Sequence, residues 1–263
     1  MVMAMSAEIN KQSIYNNLLF NREIKYDEAI TFYPIRMKYI VQFQMYQIAL
    51  TLRKDSIFNE KEIIKMSYLD FIKYACNNED LAIRYKIPTL PFYYNFILEL
   101  LYLSCGETVQ IRYNTESLDF YINDELVTSE MFDNIRKILI LQNDIDFDVD
   151  EFINRDTLDA LEKAKEFESK KRKEKAELED YIDSLIISLK VTEEYVENMT
   201  IRKFWRYITR INMHDNYIID KTADRSGMVT FKDPIKSWMT SIELDDKYAG
   251  LKADEGELRG KIK

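Results

Sequence analysis

Any Ser-His-Asp or Cys-His catalytic arrangement in this 263-residue chain would have to be built on His214, its only histidine. His214 lies in Asn212-Met213-His214-Asp215-Asn216, which reads as a helix end. There the helix dipole favours an imidazolium, so a structural reading is preferred to a catalytic one. The two cysteines, Cys76 and Cys105, are far apart in apolar, helix-like surroundings. They are too few for a disulfide framework or a structural zinc site and read as reduced core residues. The run from Asn143 to Glu151 alternates carboxylates with apolar residues and would place Asp144, Asp146, Asp148 and Asp150 on one strand face. Four carboxylates could hold Ca²⁺ or Mg²⁺. However, Val149 stands where a calcium-binding helix-loop-helix needs glycine, and Arg155 stands where it needs glutamate. The preferred reading is an exposed acidic face opposite Ile145, Phe147 and Val149. Five glycines form no phosphate-binding loop and no dinucleotide fingerprint. No catalytic residue, metal ligand or cofactor is nominated, and the chain is expected not to be an enzyme.

The other candidate chemistry is recognition. Ile201, Phe204, Trp205, Ile208 and Ile211 fall on one face of a helix that Thr200 can cap. Arg202, Lys203, Arg206 and Arg210 lie off that stripe and form a basic face. Phe204, Trp205 and Trp238 are the candidate apolar anchors for a protein partner, with Arg202, Arg206 and Arg210 as a polar rim. The competing reading is a solvated amphipathic helix with both tryptophans in the core. The same arginines could contact phosphates, but a formal net charge of −9 makes nucleic acid an improbable general partner.

The elements that would position these residues are mainly helices, because glycine and proline are scarce (5 and 4). Glu23 to Tyr33 reads as extended. Helices are expected over Met37 to Leu52, with Met37, Ile40, Val41, Met45, Ile48 and Leu52 inward, and over Asn59 to Cys76, with Ile63, Ile64, Tyr68, Phe71 and Ile72 inward. A third, well-buried helix is expected over Phe92 to Leu103. Residues 108 to 127 alternate, with turns at Asn114 to Ser117 and Asn123-Asp124, and predict an antiparallel β meander. Ser129 is expected to cap a helix from Glu130 to Leu141. The Glu- and Lys-rich stretch centred on residues 168 to 175 predicts a charged connecting helix. Further helices are expected over Tyr181 to Leu189, Thr200 to Met213, and after Asp233-Pro234 with Ile235, Trp238, Met239 and Ile242 inward.

The expected class is α+β and predominantly helical, with a small antiparallel β meander in the N-terminal domain and a helical C-terminal module. Expected boundaries are an α+β domain at 1–150, a charged connecting helix at 151–190, a helical module at 191–248 and a polar tail at 249–263. Hydrophobic residues make up 46 % of the chain and aromatics 13 %, enough for a core and far from a disordered composition. No leader or membrane-spanning run is apparent, so an intracellular protein of the cytoplasm is expected.

Two groups of residues carry a resemblance. One comprises Met199-Thr200-Ile201-Arg202-Lys203-Phe204-Trp205-Arg206, Asp215-Asn216-Tyr217, Ser226-Gly227-Met228-Val229-Thr230-Phe231-Lys232 and Trp238-Met239. The other comprises Tyr33-Pro34-Ile35-Arg36-Met37-Lys38 and Met66-Ser67-Tyr68-Leu69. Together they resemble tail assembly chaperones, and related tail-cluster proteins, of phages of Gram-positive bacteria. The resemblance implies a factor of the host cytoplasm that binds the tape-measure protein, or other tail proteins, during virion morphogenesis. It leaves open a homo-oligomer, a structural tail or baseplate component, and a nucleic-acid-binding adaptor.

Overall fold

The computed structural model describes residues 12, 14–106, 109–149, 151, 156–158, 160–161, 163, 176–227, 229–231 and 233–242. The protein is α+β and predominantly helical, with two small antiparallel sheets. The chain divides into two compact units. Unit one comprises residues 1–152 and 197–203, and unit two comprises 153–196 and 204–263.

Unit one opens with α1 (Tyr15–Phe20) and a hairpin of β1 (Ile24–Lys25) and β2 (Thr31–Phe32). Asp27 closes the hairpin by accepting from the Ala29 and Ile30 amides at 2.7 and 2.6 Å. The expected continuous helix over Met37 to Leu52 is instead a 3₁₀ turn (Met37–Tyr39), α2 (Ile40–Tyr46) and a second 3₁₀ turn (Gln47–Leu50). The change of helical period rotates the inward face. Phe43, Ala49 and Leu50 are buried, while Val41 and Met45, expected inside, are exposed. The expected helix from Asn59 to Cys76 is two helices, α4 (Lys61–Lys65) and α5 (Tyr68–Cys76), following the single turn α3 (Lys54–Ile57). Met66 turns extended between them, and the Ser67 hydroxyl caps α5 by accepting from the Asp70 amide at 3.0 Å.

After α6 (Glu79–Tyr85), α7 (Tyr93–Ser104) runs through the core, as its nearly unbroken apolar sequence requires. Its Tyr93, Tyr94, Ile97, Leu98, Leu100 and Leu101 are all buried. The meander is present as β3 (Ile111–Tyr113), β4 (Phe120–Ile122) and β5 (Glu125–Leu126), in that order. Asn123 and Asp124 both take positive φ (49° and 69°), which the two-residue β4–β5 turn needs. Phe120 and Ile122 point into the core, and Phe120 meets Phe132 edge-on at 6.2 Å. Phe132 belongs to α8 (Ser129–Gln142), whose cap is Thr128 rather than the expected Ser129. Ser129 instead forms the first turn and pairs its hydroxyl with that of Ser67 at 2.9 Å. Beyond α8 the expected acidic strand is absent: residues 144–149 are irregular, and Asp144 has φ 59°.

Unit two contains α9 (Leu178–Leu189), most of α10 (Glu193–Asn198) and most of α11 (Ile201–Ser226). Helical turns at 156–158, 160–161 and 163 precede α9. The charged centre of the expected connecting helix, residues 164–175, and the expected tail lie outside the described residues. A capping box at Glu177 and Asp180 starts α9. The helix capped by Thr200 does not stop near Met213 but runs on to Ser226, where Gly227 (φ 71°) ends it. His214 is therefore in mid-helix, not at a helix end. The helix expected after Asp233-Pro234 is absent, and residues 233–242 are irregular with one turn at Trp238–Thr240.

Candidate protein-binding surface

The six nominated residues are drawn largely into the protein's own packing. In unit two, Trp205 is half-buried between two aromatic neighbours. It meets Tyr181 of α9 edge-on at 5.4 Å and Phe204 at 5.0 Å. Phe204 is fully buried. Arg210 donates from Nη1 to the carbonyls of Trp238 and Thr240, the latter at 2.8 Å. Those bonds hold the turn at Trp238–Thr240 against α11. One turn further on, the His214 ring meets the Trp238 indole edge-on at 5.1 Å. Arg210, His214 and Trp238 thus form one clasp. His214 Nδ1 also lies 3.2 Å from the Asp215 carboxylate.

Arg202 is placed differently again. It belongs to unit one and is 9 % exposed. Its guanidinium donates to the Asp144 carboxylate and to the Leu141 carbonyl at 3.4 Å. The exposed basic face expected along the helix is not formed: Arg202 and Arg210 are turned to internal partners. Arg206 is half-buried.

Sequence reasoning missed the apolar surface that does exist. Once α11 continues past Met213, Ile218 and Ile219 lie on its exposed side, at 49 % and 64 % exposure. Ile187 and Leu189 of α9, Tyr195 of α10, Val229 and Met239 are exposed in the same unit. The signal was available in the heptad-like spacing Phe204, Ile211, Ile218, but the expected helix ended too early to use it.

Burial pushes the Cys105 thiol up to about 12 and raises that of Cys76, so neither thiol is activated. Among the described residues no three His, Cys, Asp or Glu side chains are placed to hold a metal ion. A shallow groove of about 300 Å³ on the meander is lined by Arg112, Tyr113, Asn114, Tyr121 and Asp124, and Arg112 and Asp124 pair across it. No helix among the described residues is long and apolar enough to cross a membrane.

Residues 170–243 match the family model described as the YomV second domain. YomV is a phage-encoded protein of Bacillus, and the match supports a phage protein. The matched segment ends just past the clasp residues Trp238 and Thr240. No curated protein and no solved structure matches the chain.

Proposed function

We propose that this chain is a non-enzymatic factor of phage morphogenesis, acting in the host cytoplasm by binding a tail protein, with the tape-measure protein as its partner. The observation that carries this reading is the match of residues 170–243 to a domain of a phage-encoded protein. The tail-chaperone resemblance of the sequence supplies the finer role. Exposed Ile218, Ile219, Ile187 and Tyr195 in unit two suit a partner that offers apolar helix. The engagement of Arg202 and Arg210 by internal acceptors counts against the nucleic-acid adaptor, which needs those cations free.

The test is affinity capture of the tagged full chain from infected or induced cells, read by mass spectrometry, together with the protein inventory of finished particles. Capture of a long helical tape-measure protein, with the bait absent from particles, supports the chaperone. A fixed copy number of the bait in particles makes it a structural tail or baseplate component instead.

A further inference from the structure

The β meander of unit one has two faces, and its ladder assigns each residue to one of them. Phe120 and Ile122 fill the core side. Arg112 and Tyr121, paired across β3 and β4, therefore stand on the other side. Asn114 continues the ladder by donating its amide to the Asp119 carbonyl at 2.8 Å, and so shares that outer side with Arg112. Asp124 reaches it from the β4–β5 turn, where it pairs with Arg112. With Tyr113 these residues line the groove of about 300 Å³.

The groove's polar groups are held in place by the turns at its two ends. Positive φ at Asn123 and Asp124 sets where the Asp124 carboxylate stands. Asn114 Oδ1 accepts from the Glu116 and Ser117 amides at 2.8 and 3.3 Å. Those bonds orient the side-chain amide and leave its Nδ2 hydrogens uncommitted among the described residues. Arg112 and Asp124 are both more than half exposed, so their pair adds little to stability. It does set a planar donor fork beside a carboxylate acceptor. The two charges cancel, and the chain carries −9, so the groove offers little attraction to a phosphate.

We infer that this groove binds a neutral sugar ring. The electron-rich face of the Tyr121 ring suits the C–H side of a pyranose. Arg112, Asn114 and Asp124 supply donors and an acceptor for its hydroxyls. The volume lies at the small end of ligand clefts, roughly 300–1,000 Å³, as a single ring requires. The inference is independent of the phage-tail reading, and its site lies outside unit two.

Saturation-transfer difference NMR on the full chain tests it. The probes are millimolar methyl glycosides of glucose, galactose, mannose and N-acetylglucosamine, with glucose 6-phosphate as the charged counterpart. At least one neutral glycoside should receive saturation, strongest at its ring C–H protons. Tyr121→Ala should abolish that signal, while Tyr121→Phe keeps most of it. Arg112→Ala with Asp124→Ala leaves the net charge unchanged and should weaken binding about tenfold or more. The urea midpoint of each variant checks its folding. Should Tyr121→Ala unfold the meander, the paired variant carries the test alone. Absence of saturation in every neutral glycoside overturns the proposal. So does a signal that survives these substitutions, or one confined to glucose 6-phosphate.

Discussion

Arg136 carries a charge into the core of unit one, where a carbonyl and two aromatic rings meet it. Its Nε donates to the Leu50 carbonyl at 2.7 Å. Its guanidinium lies 3.5 Å above the centre of the Tyr68 ring and also faces Phe147. Removing it leaves a buried carbonyl unpartnered and a cavity against an aromatic ring. Arg136→Ala should cost about 2–4 kcal/mol, read as a fall in the urea midpoint, and Arg136→Met should recover part of it. Tyr68 itself is fully enclosed and donates to the Ala49 carbonyl at 3.0 Å. Burial raises its phenol from the usual 10 to about 12. A proton held more tightly in the folded state stabilises it fully below pH about 10. That contribution is lost as pH rises from 10 toward 12. Urea titrations from pH 7 to 11 should show stability falling above pH 10. Tyr68→Phe should lose about 1 kcal/mol at pH 7 but flatten the alkaline decline. Neither role was legible in the sequence, where Arg136 reads as an ordinary polar position between the inward residues Ile135 and Ile138.

Among the elements, the boundary between α4 and α5 shows what periodicity hides. Of the expected inward stripe, Ile63, Tyr68, Phe71 and Ile72 are buried and Ile64 is half-buried, although the expected single helix is two. The stripe continues across the break because both helices face the same core. The signal that was passed over is Ser67 followed three residues later by Asp70, a helix start in the middle of a helical pattern. Ser67→Ala should cost about 1 kcal/mol in thermal or urea unfolding, a loss that a mid-helix Ser→Ala would not produce. The opposite difference occurs in α11, whose expected end at Met213 lies in mid-helix. Asn212, Asp215 and Asn216 are instead the solvent side of a continuing helix.

At the level of the whole molecule, the segment that matches the phage domain family and the compact units do not share boundaries. Residues 170–243 include Glu197–Lys203, which belong to unit one. The exposed apolar residues of unit two supply the test of function at this scale. Ile218→Asp with Ile219→Asp changes only exposed positions, so thermal stability should stay within about 0.5 kcal/mol per site. The same pair should sharply reduce the yield of co-purified partner in the affinity capture. Retained capture would remove this face from the binding surface.

What the sequence determined by itself is whatever depends on near neighbours in the chain. The meander is one case, because its alternation and the Asn123-Asp124 turn act over a few residues. The buried α7, the inward face of α8 and the Thr200 cap are others. The tertiary structure decided where each polar group finds its partner. Arg202 and Asp144 are 58 positions apart, and Arg210 reaches Thr240 across 30. Both arginines look like surface cations when only local spacing is read. Each guanidinium pairs with whichever acceptor the fold brings near, and that pairing has no local signature. The same holds for the contact of the His214 ring with the distant Trp238.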